Sequence, residues 1–271
     1  MARSLTSLVT ALDAIAPIRL AADWDRVGLL VEPTSAAQVA TVLCAIDLTE
    51  PVLDEALEIG AGLIVAYHPL IFRGLAGLRA SRPDERTALR CAERGLAVYS
   101  PHTAWDAVEG GATDWLSDGL DLPSTRSPIE PDASAGDPAG GDVLAGHGRL
   151  LRLETPARLD DLIPRIKSRL GLDRLRIAQG RRAEEIRTIA VCPGAGSSVL
   201  EQVADADLWW TGEMRHHDVL AARARGTSVI LSEHSLTERG SLARLADRLR
   251  ELCPDLKVCC STADRDPLEW A

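Results

Sequence analysis

The sequence predicts an α/β protein with two lobes, each built on a mixed, mostly parallel sheet covered by helices. Short apolar runs alternate with amphipathic stretches along most of the 271 residues, as expected where strands alternate with helices. The alternation breaks at residues 122–142, where four prolines and few large apolar residues are typical of a linker or mobile loop. We therefore predict a first lobe at residues 1–121 and a second segment at 143–271. The pattern leaves open whether the C-terminal part of this segment packs back on the first lobe.

The sequence predicts alternating strands and helices in the first lobe. Residues 39–47 predict a strand, and Thr49 and Gly60 mark the start and end of the helix that follows. The remaining elements predicted for this lobe are a strand in residues 62–72, a helix over 83–95 and a strand over 96–100.

The same rhythm resumes after the predicted linker, and no internal repeat is evident. The elements predicted there are strands in residues 149–154, 187–194, 206–212 and 227–232, and helices over 157–171 and 237–252.

Composition excludes several classes of function. The net charge of -10 argues against sequence-independent binding of DNA or RNA, which needs clustered basic side chains. The six cysteines form no C-x-x-C pair, so we expect neither a disulfide scaffold nor a structural zinc ribbon, and we predict a cytoplasmic location. No stretch approaches the roughly 18 apolar residues that a membrane helix requires, and no membrane partner is expected.

Potential metal ligands follow three of the predicted strands. They are His68, then His102 with Asp106, then His234 with Glu238. Ligands of open α/β sheets gather beyond the carboxyl ends of the strands. Two of the sets have the spacing of one helical turn, which places both side chains on one face of a helix.

Taken singly, a histidine at a strand end is more often structural than a ligand. Together, these imidazoles and carboxylates indicate a metal site. The absence of thiolates from the set favours a catalytic Zn, Mn, Fe or similar cation over a closed structural zinc site.

Six motifs in order resemble those of the NIF3-like family, whose members are hexameric dinuclear-metal proteins described as GTP cyclohydrolase 1 type 2 homologues. The resemblance covers nearly the whole chain. The motifs are WDRVGLLVE at residues 24–32, YHPLIF at 67–72, HTAWDAVEGGATDWL at 102–116, CPGAGS at 192–197, DLWWTGEMRHHD at 207–218 and EHSLTERGSLARLADRL at 233–249.

The resemblance implies a NIF3-like fold and a dinuclear metal centre with one or two divalent cations per chain. It makes His68 and Asp106 ligands of one cation and His234 a ligand of the second, with Glu238 shared between them. It further implies a homohexamer and a nucleotide-like small molecule as partner.

Tyr67 occupies the position of a family ligand, the first histidine of the pair H-H. A neutral phenol is a poor ligand beside imidazole. The second cation is therefore weakly held, takes a water instead, or is bound by a tyrosinate. Arg26 also replaces the family's usual asparagine, and we assign it no chemistry.

Other residues have two interpretations. His102 either orients a water or substrate beside the metals, as the resemblance implies for a catalytic role, or anchors its loop. We favour a helix start over a site role for Glu213, His216 and His217. The glycine-rich residues 192–198 fit a tight turn as well as a weak phosphate-binding loop.

Two more residue types have a structural interpretation. Cys192 is expected to be a packed thiol rather than a nucleophile. Trp105, Trp209 and Trp210 are expected in the core or in subunit contacts.

Two functions remain open. The first is a metal-dependent hydrolase that acts on a nucleotide-like or purine-ring substrate through a metal-activated water, as in a GTP cyclohydrolase. The second is a non-catalytic metal-binding regulatory or interaction protein that forms an oligomeric ring.

Overall fold

The computed structural model describes residues 2–34, 38–133 and 143–269. The chain forms two compact units. The first joins Met1–Trp105 to Leu242–Ala271, and the second is Asp106–Ser241. The boundary therefore lies before the predicted end of the first lobe at residue 121, and the C-terminal residues belong to the first unit.

The first unit has a five-stranded sheet in the order β13-β4-β5-β6-β2, in which only β2 is antiparallel to its neighbour. Strands β1 and β3 pair separately. Its strands are β1 (Arg3–Ser4), β2 (Gly28–Val31), β3 (Gln38–Val39), β4 (Thr41–Ala45), β5 (Leu63–Ala66), β6 (Ala97–Ser100) and β13 (Lys257–Cys260). Its helices are α1 (Leu5–Ile15), α2 (Glu50–Glu58), α3 (Pro83–Glu93) and α10 (Ser241–Leu252), with a short 3-10 helix at Ile18–Leu20.

Helices α2 and α3 cover one face of this sheet. Val52, Leu53 and Ala56 of α2 pack in one core with Leu43 and Ile64 of the strands. Strands β4 and β5 are buried at every residue, which is why they read as continuous apolar runs rather than as alternating patterns.

The second unit has a six-stranded sheet in the order β7-β8-β10-β11-β12-β9. The central strands β10, β11 and β12 are parallel, and the outer strands are antiparallel to their neighbours. Its strands are β7 (Ser124–Pro131), β8 (Gly146–Ala157), β9 (Arg176–Ala178), β10 (Ile186–Cys192), β11 (Leu208–Thr211) and β12 (Ser228–Leu231). Its helices are α5 (Ala112–Asp118), α6 (Leu159–Leu170), α7 (Ser197–Leu200), α8 (His216–Arg225) and α9 (Leu236–Arg239), with a 3-10 helix at Glu201–Val203. The chain enters this unit within α4 (His102–Ala107).

The predicted linker at residues 122–142 is in part a strand. Residues 124–131 form β7, which pairs antiparallel with β8 at the edge of the sheet. Prolines 128 and 131 are compatible with this position because an edge strand tolerates a missing amide donor. Residues 134–142 of the predicted linker lie outside the described residues.

Both faces of the second sheet are covered. Ile189 and Trp210 pack in a core with α5 and α6, whereas Ala190 and Trp209, one residue away in each strand, pack on the side of α7 and α8. Alternate residues of a strand point to opposite faces, so the adjacent tryptophans fill two different cores. Trp105 is likewise fully buried. Trp105, Trp209 and Trp210 therefore lie in the core, which is one of the two locations predicted for them.

The α/β class with helix-covered sheets is confirmed. Within the described ranges, no helix is long and apolar enough to span a membrane.

Candidate metal centre

His68 lies just beyond the carboxyl end of β5. The ladder with β4 continues for two residues past the strand, because Tyr67 N donates to Ala45 O at 2.8 Å and His68 N donates to Ile46 O at 3.0 Å. Asp47, which follows β4, contacts His68 Nδ1 at 2.9 Å. A carboxylate that accepts the Nδ1 hydrogen fixes the ring and leaves the Nε2 lone pair as the donor to a metal.

His102 opens α4 with a φ of 30°, a left-handed conformation that is strained for a histidine. Its Nδ1 contacts Asp25 Oδ1 at 2.8 Å, and Thr103 donates to the other oxygen of the same carboxylate. Burial alone raises the pKa of Asp25, but hydrogen bonds from His102, Thr103 and the Arg26 amide outweigh it and lower that pKa. Asp25 is therefore an ionised anchor that holds the His102 ring.

The rings of the first unit form an aromatic cluster. His102 lies 5.3 Å from His68 and 5.5 Å from Tyr67, measured between ring centroids. The partly exposed rings of Trp24 and Phe72 also lie near His102, with centroids at 6.0 Å and 6.4 Å. Tyr67 is fully buried and lies 5.0 Å from His68, so its phenol ring is packed against a predicted ligand.

His234 and Glu238 form a pair in the second unit. His234 follows β12 after Glu233, whose φ of 66° turns the chain sharply. Its Nε2 lies 3.2 Å from Glu238 Oε1, and its Nδ1 lies 3.1 Å from Glu213 Oε1. Glu238 is only 3% exposed, and a buried carboxylate is stabilised by pairing or by a bound metal.

Gly194 lets the main chain approach this pair. Its φ is 61°, and a Cβ atom added there would lie 2.5 Å from Glu238 Oε1 and 3.1 Å from His234 Nε2. Its amide donates to Thr237 Oγ1 at 2.8 Å. The backbone of this turn thus forms one wall around the carboxylate and the imidazole, and a side chain would fill that space.

Asp106 lies on α4, whose end is fixed by a fully buried arginine. Arg149 contacts both oxygens of Asp114 at 2.9 and 3.0 Å and donates to the carbonyls of Ala107 and Val108. Asp106 O accepts a hydrogen bond from Thr113 Oγ1 at 2.8 Å. These contacts fix the main chain on which the Asp106 carboxylate is carried.

Cys192 behaves as a packed thiol. Burial raises its pKa, and the nearby carboxylates of Asp106, Glu130 and Glu238 raise it further. Because a thiolate is strongly disfavoured there, Cys192 is a poor nucleophile.

Sequence reasoning missed the carboxylates that hold the histidines. The sequence does not predict Asp25 or Asp47 as site residues, and the contact of Glu213 with His234 favours a site role over a helix start for Glu213. Two signals were present. Asp25 belongs to the WDRVGLLVE motif, and Asp47 and Glu213 each follow the end of a strand.

The hydrogen bonds of the glycine-rich turn after β10 favour a tight structural turn over a phosphate-binding loop. The amides of Gly194 and Gly196 donate to the hydroxyls of Thr237 and Thr211, so they are engaged within the protein. Helix α7 that follows has four residues.

In the second unit, the described residues His234 and Glu238 bring an imidazole and a buried carboxylate within 3.2 Å of each other, and in the first unit the His68 ring is held by Asp47. Imidazole and carboxylate suit zinc and other first-row cations, and the turn at Gly194 leaves no room for a side chain beside His234 and Glu238. Tyr67 offers a phenol rather than an imidazole.

Two α/β units with strand-end imidazoles and carboxylates define the class of an α/β protein with a candidate metal site. The family model for Duf34/NIF3 (NGG1p interacting factor 3) matches residues 3–267, and the chain belongs to this family.

Relatives and solved structures agree with this assignment. The chain is 40% identical to NIF3-like protein 1 of Drosophila melanogaster, over 98% of this chain and 89% of that protein. It is 41% identical to Protein NIF3 homolog of Schizosaccharomyces pombe, over 92% of each. The crystal structure of a Bacillus cereus protein related to NIF3 has the same fold, with a TM-score of 0.85 at 20% identity over 99% of each chain.

Proposed function

We propose that the protein is a metal-dependent hydrolase that acts on a nucleotide-like substrate, with His68, Asp106, His234 and Glu238 as metal ligands. The observation that carries the proposal lies at His234, whose Nε2 is 3.2 Å from the buried carboxylate of Glu238. In addition, His68 and His234 each have a carboxylate at Nδ1, from Asp47 and from Glu213. This pairing is typical of histidines that bind metals through Nε2.

When bound, the cation supplies Lewis-acid chemistry, which lowers the pKa of water and polarises a carbonyl or phosphoryl oxygen. The chain provides the rest. Asp47 and Glu213 hold the ligand rings, and Glu238 contributes a buried negative charge that offsets the charge of a cation. His102, held by Asp25, orients a water or a polar group of the substrate.

Tyr67 makes the centre asymmetric. A buried phenol at a family ligand position donates less readily to a cation than imidazole does. We therefore propose that one cation is bound firmly by His68, Asp106 and Glu238, and that the second, near His234, is only partly occupied. The same substitution supports the alternative function, a non-catalytic metal-binding regulatory or interaction protein that forms an oligomeric ring.

Two further proposals rest on the family resemblance and on composition. We propose a homohexamer, which light scattering measures against the 29.1 kDa mass of one chain. A mass near that of one chain contradicts it. We also propose a cytoplasmic location, in keeping with six free cysteines.

Metal analysis paired with turnover tests the function. Purified protein is assayed for bound metal, and metal-free and metal-loaded samples are tested against a panel of nucleotides. We expect metal-dependent hydrolysis that His68→Ala abolishes. His217→Ala is the matched control, because His217 is exposed and the proposal assigns it no metal. Stoichiometric metal without turnover favours the regulatory alternative, and absence of bound metal contradicts both.

A further inference from the structure

A cavity of ≈ 700 Å³ lies within the first unit, beside His68. Three segments line it: the turn after β4 at residues 47–49, the loop at 68–76 and the start of α3 at 82–85. Arg265 and Pro267 complete the wall. The cavity is large enough for a small organic ligand, since such cavities are about 300–1,000 Å³.

Two arginines give this cavity available positive charge. Arg73 and Arg265 line it, and within the part of the chain that the structure describes neither has a hydrogen bond or ion pair. Arg82, the third arginine of the wall, differs from them because it donates to Glu85 at 2.9 Å. Guanidinium groups without an acidic partner are well suited to bind a phosphate or carboxylate.

The carboxylates of the cavity have other roles. Asp47 contacts His68, and Glu85 accepts hydrogen bonds from Arg82 and from the Arg79 amide. Asp84 lies in the first turn of α3, where the helix dipole stabilises a negative charge. Glu85 is thus paired with Arg82, and Asp47 is engaged with His68, so neither carboxylate forms an ion pair with Arg73 or Arg265.

The main chain before Arg265 is fixed. Glu55 accepts hydrogen bonds from the amide and hydroxyl of Thr262 at 2.9 and 2.7 Å. Asp264 Oδ2 accepts a hydrogen bond from the Ile46 amide at 2.6 Å. The segment that carries Arg265 is therefore anchored against α2 and the end of β4, and this anchoring reduces the entropy lost when the side chain binds an anion.

Phe72 adds an exposed aromatic ring to the same wall. Its side chain is 50% exposed, and its ring packs edge-on against Trp24, with centroids 6.0 Å apart at 60°. Trp24 is itself 61% exposed. Exposed aromatic rings next to cationic side chains are typical of sites that bind planar anionic ligands.

We propose that Arg73 and Arg265 bind the phosphate group of the substrate, while its ring lies on Phe72 next to His68. The proposal rests on the proposed function, because it names the substrate class of the same site as nucleoside phosphates rather than nucleosides or free bases. It concerns ligand binding by this chain's own side chains and does not require a metal to be bound.

The test uses the full-length, metal-free protein and isothermal titration calorimetry with guanosine monophosphate, guanosine and inorganic phosphate. We expect guanosine monophosphate to bind about tenfold or more tightly than either of the other two, because charge-assisted hydrogen bonds and stacking both contribute. Arg73→Gln and Arg265→Gln each weaken binding of the monophosphate by roughly tenfold and leave guanosine unchanged.

Arg79→Gln is the matched control, since Arg79 lies in the same loop region but does not line the cavity. Phe72→Ala is expected to weaken the monophosphate and guanosine alike. The proposal is overturned if guanosine binds as tightly as its monophosphate, if no probe binds, or if Arg79→Gln has the same effect as Arg73→Gln. Because binding is measured without metal, a protein that binds the monophosphate but hydrolyses nothing contradicts the proposed function alone.

Discussion

Replacing Gly194 with alanine tests the metal centre at its glycine wall. The φ of 61° makes any side chain unfavourable there by roughly 1–2 kcal/mol. The added Cβ atom would lie 2.5 Å from Glu238 Oε1, whereas ordinary contact begins at 3.4 Å. The carboxylate must therefore move by about 0.9 Å, well beyond the roughly 0.2 Å within which metal-ligand distances vary.

We expect Gly194→Ala to lose at least about tenfold in metal affinity, in line with other disturbances of ligand geometry. Gly171→Ala is the matched control. Gly171 has a φ of 66° in the same unit, and nothing lies within 4 Å of the atom that would be added. The Gly171→Ala variant therefore has the same unfavourable backbone conformation but no steric clash.

The assay combines thermal unfolding with metal content after equilibration at a fixed zinc concentration. Both variants should lower the melting temperature by a few degrees, at about 2–4 °C for each kcal/mol. Only Gly194→Ala should lose metal. If both variants bind as much metal as the wild type, the cation is not held against Gly194 and the reasoning fails.

Four further predictions concern single side chains. Glu238→Ala should remove all bound metal if Glu238 is the shared ligand, and metal content equal to that of wild type refutes the sharing. Tyr67→His should raise metal content towards two per chain, and a wild type that already binds two cations equally contradicts the account of Tyr67. Arg149→Met should lower the free energy of unfolding by about 3–5 kcal/mol, measured in urea, because buried Asp114 loses its bidentate partner and keeps, among its described neighbours, only the Gly110 amide and the more distant Arg126 at 3.8 Å. The pKa of Glu55 is lowered to about 2, since hydrogen bonds outweigh the opposing effect of burial. Glu55→Gln should therefore be less stable than wild type above about pH 4.5, and the difference should shrink as the pH falls towards 2; a difference independent of pH refutes it.

Much of the fold follows from periodicity. Strands β4, β5 and β6 read as continuous apolar runs because both faces of the sheet are covered. The sequence predicts a linker where the edge strand β7 lies, because the segment has two prolines and few large apolar residues. Its pairing with β8 depends on a partner that local sequence does not reveal.

The site residues differ in how far the sequence alone can predict them. His68 and His234 could be predicted from their place after strands, whereas the close approach of Gly194 to Glu238, 44 residues later, arises only in the folded chain. The role of Arg149 could not be predicted, because arginine is rarely fully buried. Its partners at residues 107, 108 and 114 become neighbours only in the folded unit.

The carboxylate partners of the two histidines follow from strand topology. Asp47 and His68 are 21 residues apart, and so are Glu213 and His234.

In each unit the acid follows one parallel strand and the histidine follows its neighbour. Strand β4 pairs with β5 in register from Val42 to Ala45, and β11 pairs with β12 from Leu208 to Thr211. Side chains just beyond the ends of two parallel, paired strands emerge side by side at the same edge of the sheet.

The sequence has no evident repeat because the helices between these strands differ, yet the backbone builds the same carboxylate-imidazole pair twice. A pair of this kind orients a histidine whether or not a cation is present. Each unit therefore has a preorganised imidazole before metal binds, which reduces the entropy lost on binding.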